Sequence, residues 1–233
     1  MNILSLDLDW FNTRISLGRR RKVKPAELSA DEDIRRFCYR LADSCVLPTR
    51  IAYVVEHQYM YPWCLKRLER SGEDKVDVVN IDEHHDFYDC GYIDRGTSVS
   101  CGNFLAWMAR DGLLGSYTWV NNAQADSTAR AMSKHLRSEL DILSRITNGR
   151  AEVLNKVKIF KKNQVFRAVS GKSFNGFIIV KSPEYTHNAS MIANRVLACM
   201  RSLGHRIYQD DGYKNFARRS LTRVANRRFA MSA

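Results

Sequence analysis

The chain has 233 residues, of which 45% are hydrophobic and 27% charged, and a formal net charge of +12. That hydrophobic content can fill a core without staples, which excludes a disordered chain and a small disulfide scaffold. The excess of cations favours polyanionic neighbours but says nothing about fold.

No apolar run approaches the roughly 20 residues needed to span a bilayer. The opening Met1-Asn2-Ile3-Leu4-Ser5-Leu6-Asp7-Leu8-Asp9 lacks a charged region followed by an uninterrupted apolar one, so it reads as a strand and not as a signal peptide. Six cysteines stand at 38, 45, 64, 90, 101 and 199, none in a CxxC pair. A zinc ribbon is therefore not expected, and a cytoplasmic protein with free, mostly buried thiols is.

In chain order, Asn2–Leu8 predicts a buried strand ending at two aspartates. A basic loop follows to about Leu28, with a run at Arg19, Arg20, Arg21, Lys22 and Lys24. Ala30–Cys45 carries Ile34, Phe37 and Leu41 at helical spacing, with Ser29 or Asp31 as a cap. Arg50–Val55 predicts a strand that ends at Glu56-His57, and Tyr59–Arg70 a helix. Lys75–Ile81 predicts a third strand, ending at Asp82.

Gly102–Asp111 predicts a helix, Ser116–Val120 a short strand, and Asp126–Arg145 a helix with Ala129, Met132, Leu136, Leu140 and Leu143 on one side. Val153–Phe160 and Gln164–Val169 read as strand-like, and Gly176–Val180 as a strand running into Ser182-Pro183-Glu184. Asn188–Ser202 reads as a helix. The basic stretch after Gly204, with Arg206, Lys214, Arg218, Arg219, Arg223, Arg227 and Arg228, reads as a helix or a disordered tail that could contact nucleic acid or another polyanion. The expected organisation is an α/β domain over residues 1–204 and a basic tail over 205–233.

Strands alternating with helices imply three α/β/α layers around a mainly parallel sheet. In such folds ligands bind outside the carboxyl ends of the strands. Four of the expected strands end in ionisable residues there: Asp7 and Asp9, His57, Asp82 with His84 and Asp86, and Glu184. Alternate residues of extended backbone share a face, so Asp82, His84 and Asp86 are expected to converge. Carboxylates mixed with imidazole suit Mn(II), Fe(II) or Zn(II). Glu56 and Glu83 stand beside these positions and could orient the imidazoles. Trp10 and Phe11 could wall a pocket, although residues of this kind more often belong to the core.

Ile81-Asp82-Glu83-His84-His85-Asp86 resembles the Asp-Ala-His-x-Asp signature of arginases, agmatinases and related ureohydrolases. Ser5-Leu6-Asp7-Leu8-Asp9 resembles their Ser-Phe-Asp-x-Asp, and Val55-Glu56-His57 their strand-end Gly-Asp-His. The late Ser-Pro-Glu and the Leu-Asp-Leu-Asp-aromatic motif are similar to a poorly characterised arginase-like family. The resemblance implies two divalent ions, most readily Mn(II). His57 and Asp86 would bind one, His84 and Asp9 the other, and Asp82 and Asp7 would bridge them. It also implies hydrolysis of a C–N bond of guanidinium, amidine or amide type by a metal-bridging hydroxide, in a small molecule or a modified side chain. Glu184 and Asn103, in Ser100-Cys101-Gly102-Asn103, would contact substrate, and His85 or His187 could carry protons.

Two features depart from the family pattern. The Asp-x-Asp motif comes first in the chain where the family has it late, a circular permutation. Leu105 stands where the ureohydrolases carry a proton-shuttling histidine, so arginine itself is not the expected substrate.

Two rival readings come from the same residues. A haloacid-dehalogenase-like phosphatase would use Asp7 as nucleophile, Asp9 as acid/base, Ser170 and Lys181 on phosphate, and Asp210 with Asp211 on Mg(II). It leaves Asp82, His84 and Asp86 without a role. A binding protein that keeps the arginase-like fold without catalysis would use the basic surface instead. Ser170-Gly171-Lys172-Ser173 lacks the full phosphate-loop pattern.

Overall fold

The computed structural model describes residues 1–11, 31–95, 97–122, 126–183 and 188–210. The basic run at 19–24, the expected cap Ser29, Glu184, His187, Asp211 and the tail beyond it lie outside the described residues.

Seven strands form one sheet: β1 (Asn2–Asp7), β2 (Arg50–Val54), β3 (Val76–Asp82), β4 (Leu114–Asn121), β5 (Val157–Lys161), β6 (Gly176–Val180) and β7 (Arg206–Gln209). Every pairing is parallel and the order is β5-β4-β3-β1-β6-β2-β7. The helices are α1 (Asp31–Ser44), α2 (Met60–Ser71), α3 (Phe104–Arg110), α4 (Asp126–Ile146), α5 (Val165–Val169) and α6 (Ala189–Ser202). Among the described residues, no helix is long and apolar enough to cross a membrane.

A parallel sheet must be covered on both faces, and the central strands are apolar on both. From β1, Ile3 points into a core shared with α2, α3 and α4. Leu4 and Leu6 point into a second core with α1, α5 and α6. In β6, Ile178 and Val180 take the first side, Phe177 and Ile179 the second. The α/β/α layering expected from the sequence is the observed one.

The helices follow their apolar spacing. In α1 the residues Ile34, Phe37, Cys38 and Leu41 are buried, and Asp31, Glu32 and Asp33 occupy the first turn, where the helix dipole favours negative charge. Met132, Leu136 and Leu143 of α4 pack into the first core. Cys38, Cys45, Cys64, Cys90 and Cys199 are buried thiols.

Three expectations need correction. Gln164–Val169 is not a strand: Val165–Val169 forms α5. Its buried residues Val165, Ala168 and Val169 stand at i, i+3 and i+4, and the valines and phenylalanine only mimic strand composition. Val153–Phe160 divides into a 3-10 turn, Glu152–Asn155, followed by β5. Past Gly204, where the tail was expected to begin, Arg206–Gln209 adds β7 to the edge of the sheet, pairing with β2. Tyr208 and Ile207 pack against the two cores, while Arg206 and Gln209 are exposed at the edge.

The connections create a switch point. From β1 the chain goes to β2 on one side of it and then crosses to β3 on the other. The carboxyl ends around β1 therefore form the crevice in which α/β sheets hold ligands.

Gly176 opens β6 beneath Trp63. A Cβ there would stand 2.6 Å from the Trp63 ring and 2.7 Å from Ile3 Cδ1. Gly176→Ala is expected to lower stability by about 1–3 kcal/mol through overpacking. Its urea midpoint should fall while the denaturant slope stays unchanged. A midpoint equal to the parent's would mean that this contact relaxes freely.

Candidate metal centre

Three strand ends deliver the polar cluster. β1 ends at Asp7 and turns into a 3-10 helix, Leu8–Phe11, that carries Asp9. β2 is followed by a 3-10 turn, His57–Tyr59, and β3 ends at Asp82. The two acidic motifs turn in the same way. Asp7 Oδ1 accepts the Asp9 N–H at 3.0 Å, and Asp82 Oδ1 accepts the His84 N–H at 2.7 Å. These turns, and not an extended strand, bring Asp9 and His84 inward, which corrects the expected alternation beyond Asp82. Asp86 takes a left-handed backbone (φ 55°), costly for most side chains but tolerated by aspartate.

Asp7, Asp9, His57, Asp82 and Asp86 are buried, and His84, 28% exposed, forms the rim. His57 Nδ1 lies 3.1 Å from Asp7 Oδ2, 3.1 Å from Asp82 Oδ2 and 3.2 Å from Asp86 Oδ2. His84 Nδ1 lies 3.0 Å from Asp9 Oδ2 and 3.9 Å from Asp82 Oδ1. Two donor groups result, Asp7–His57–Asp82 and Asp9–Asp82–His84, each with its ligand atoms within 4.8 Å of one another. Asp82 belongs to both, turning one oxygen to each.

Burial sets the electrostatics. Desolvation first, then the charges of Asp7 and Asp82, raise the Asp9 carboxyl well above its ordinary value. Desolvation and the Asp82 charge do the same to Asp86. Asp82 is moved down to about 2: burial opposes ionisation there, but the two imidazoles outweigh it. Burial works against charge on both histidines, yet the facing carboxylates hold His57 and His84 well above the usual imidazole range. The cluster thus draws positive charge from every group able to carry it. A divalent cation meets that demand directly, since buried charges persist only when paired or bound to metal. Donors about 2.0–2.2 Å from one ion, at angles between octahedral and tetrahedral, stand roughly 2.8–3.6 Å apart, and the contacts of His57 Nδ1, 3.1–3.2 Å, fall in that range. These buried groups can bind a metal ion.

Neighbouring polar groups fix the donors. Asn80 Nδ2 donates to Asp82 Oδ2 at 3.1 Å and to Asp86 Oδ2 at 3.0 Å. Ser182 Oγ, just after β6, donates to Asp7 Oδ2. Ser5 Oγ lies 2.8 Å from His57 Nε2, and the ring packs on Phe104 with centroids 4.7 Å apart. Trp119 Nε1 donates to the Asp82 carbonyl at 3.1 Å. Ser5, Asn80 and Ser182 were not singled out in the sequence. Ser5 precedes Asp7, and Asn80 precedes Asp82, by the two residues that place strand side chains on one face, a signal that was present.

Other expected site residues are placed elsewhere. His85 gives neither ring nitrogen to the cluster: Nδ1 accepts the Phe87 N–H at 3.1 Å, and Nε2 lies 2.8 Å from His135 Nδ1. Its ring stacks on Tyr88, and burial pushes it down to about 3. Asn103 spends its amide on its own loop, accepting the Ser100 N–H at 2.7 Å and donating to the Ser98 carbonyl at 3.3 Å. Asp7 joins one donor group and not both, and Asp86 lies beside His57 outside the two three-residue groups. Glu83 is buried, and desolvation raises it to about 7. Trp10 and Phe11 pack in the second core with Phe37.

Of the further residues that the phosphatase reading uses, Lys181 follows β6 at the carboxyl ends, but Ser170 and Asp210 lie away from Asp7. Ser170 precedes β6 at the amino ends of the strands, opposite Asp7. Asp210 follows β7, three strand positions from β1 and so about 14 Å away across the sheet.

Compared with protein-family models, curated proteins and solved structures, the chain matches none.

The contact between Ser5 and His57 has a measurable consequence. For Nδ1 to present a lone pair to a cation, Nε2 must carry the hydrogen and donate it to Ser5 Oγ. Ser5→Ala should weaken metal affinity roughly 10- to 100-fold while the circular dichroism spectrum stays that of the parent. An unchanged dissociation constant in a competition titration would remove Ser5 from the site.

Proposed function

We propose that the Asp/His cluster is the dinuclear metal centre of a hydrolase that cleaves a C–N bond. The observation that carries this reading is Asp82, whose two carboxylate oxygens face two separate donor groups. A single ion needs no such arrangement, whereas a pair of ions is commonly clamped by a shared carboxylate. Asp7, His57 and Asp82, with Asp86 alongside, would hold one ion. Asp9, His84 and Asp82 would hold the other. The oxygen and imidazole donors favour Mn(II), with Fe(II) and Zn(II) next.

When bound, two such ions supply a strong nucleophile from water near neutral pH and Lewis acidity toward a carbonyl or guanidinium carbon. The chain's own residues do the positioning. Asn80 and Ser182 hold three carboxylates by donating to them, and Ser5 sets the imidazole of His57. Phe104 and Trp119 exclude water behind the donors, which strengthens every charge interaction inside. His84 at the rim marks the side from which a substrate approaches. Guanidinium, amidine and amide groups, in a small molecule or a modified side chain, are the substrate classes, supported by the motif resemblance to ureohydrolases.

A second reading is favoured by His85 and Asn103, which serve the scaffold and not the cluster. In it the metal centre is kept for binding or stability without turnover.

The test begins with metal content after purification without chelator. About two equivalents of manganese, iron or zinc are expected in the parent, with loss of both in Asp82→Asn. Parent-like metal content in that variant would overturn the shared-carboxylate assignment. Chelation should lower the melting temperature, and excess metal should raise it, by about 2.7 kcal/mol of stabilisation at 100 times the dissociation constant. A metal-loaded parent is then assayed for ammonia, urea or amine release from guanidino, amidino and acetylamino compounds. Turnover lost in Asp82→Asn supports the hydrolase. Full metal occupancy without turnover on any class supports the second reading.

A further inference from the structure

A second feature lies at the opposite end of the sheet. Helix α2 carries Trp63, Lys66, Arg67 and Arg70 at i, i+3, i+4 and i+7, so they share one helical face. That face, with Arg50 at the start of β2 and Tyr208 on β7, lines a cleft of about 380 Å³. Met1 and Asn175 close it beside the amino ends of β1 and β6. None of the residues of the metal cluster lines it, so the cleft is no part of that site.

Two of the four cations, Arg67 and Arg50, are held in place. The Arg67 guanidinium lies 4.5 Å over the Trp63 ring, and Arg67 Nη1 donates to the Asn175 carbonyl at 2.9 Å. The Arg50 guanidinium lies 5.1 Å over the Tyr208 ring. Trp63 Nε1 in turn donates to Tyr208 Oη at 3.0 Å, tying α2 to the edge strand. Aromatic faces thus fix both guanidinium planes, leaving their remaining N–H groups for an outside acceptor.

The charges in this cleft are not balanced internally. Among the described residues, none of Arg50, Lys66, Arg67 and Arg70 forms an ion pair with a carboxylate. Two acidic residues also line the cleft, Glu73 and Asp210, and Glu73 is paired with the Met1 amino group. Lys66 and Arg70 are i,i+4 neighbours and Arg67 and Arg70 are i,i+3 neighbours, arrangements in which like charges repel. A bound anion would relieve that repulsion.

We propose that this cleft binds a small phosphorylated anion carrying two or more phosphoryl groups. Guanidinium forks match phosphate oxygens two at a time, and a lysine adds a point charge. The volume falls in the range of small-molecule sites, roughly 300–1,000 Å³. Trp63 is buried under Arg67, so its ring holds the arginine and is not offered as a stacking platform for a base. Recognition is therefore of the phosphoryl groups.

Inorganic pyrophosphate is the probe, titrated calorimetrically into the full chain. One saturable equivalent is expected. The double variant Lys66→Gln/Arg70→Gln, which disturbs neither ring contact, should weaken it roughly tenfold or more and leave metal content unchanged. Arg67→Gln should weaken it as well. A variant with Arg218, Arg219 and Arg227 changed to glutamine should bind as the parent does. Parent-like affinity in both cleft variants, or no saturable binding by the parent, would overturn the proposal. So would loss of binding in the 218/219/227 variant alone. A single-stranded oligonucleotide that needs Lys66 and Arg70, in a protein indifferent to pyrophosphate, would replace the small anion with nucleic acid.

Discussion

Four carboxylates are buried around two imidazoles at the carboxyl ends of β1, β2 and β3, and the rest of the molecule accommodates that concentration of charge. Isolated ionised carboxylates do not survive in an apolar interior: they take up a proton, find a partner or bind a cation. Here the raised Asp9 and Asp86 and the raised His57 and His84 express the same demand from both sides. Asp82 is the exception that organises the others. It is held low, because both imidazoles face it, and it is the fixed negative charge about which the two donor groups are arranged.

The fold supplies what that arrangement requires. A parallel sheet points all its carboxyl ends one way, and the reversal of direction at β1 opens a crevice between neighbouring connections. Two short turns then do local work. In each, an aspartate accepts the N–H two residues on, which ends the strand and swings the next donor inward. The donor positions are therefore set by rigid strand ends and by hydrogen bonds internal to the motifs. His57 comes from a strand that does not touch β1, and it reaches Ser5 of β1 by way of the 3-10 turn after β2.

Much of this was legible in the residues, for identifiable reasons. Buried parallel strands are continuous apolar runs, so β1, β3 and β6 could be read within a residue or so, and a long amphipathic helix such as α4 is equally plain. Ionisable residues stacked at the ends of such runs located the site. Short segments failed where composition and period conflict: Val165–Val169 has the valines of a strand and the spacing of a helix turn. β7 was hidden by its length, because four residues, Arg-Ile-Tyr-Gln, at the start of a basic stretch show no period of their own. His85 and Asn103 were misplaced because a motif fixes which residues are adjacent in sequence and not which way a side chain turns. His85 is drawn to His135, fifty residues away.

Helix α2 links the two charged ends of the molecule. It begins directly after His57–Tyr59, beside the acidic cluster, and ends among Lys66, Arg67 and Arg70. A helix carries partial positive charge at its first turn and partial negative charge at its last. Carboxylates near the start and cations near the end both follow that polarity. The same helix dipole, along a helix about 18 Å long at 1.5 Å per residue, therefore favours an acidic centre near its start and a basic cleft along its later turns. His57 stands just before the first turn of α2, and further along the helix Trp63 bonds to Tyr208 and Arg67 to the Asn175 carbonyl, so one helix borders both sites.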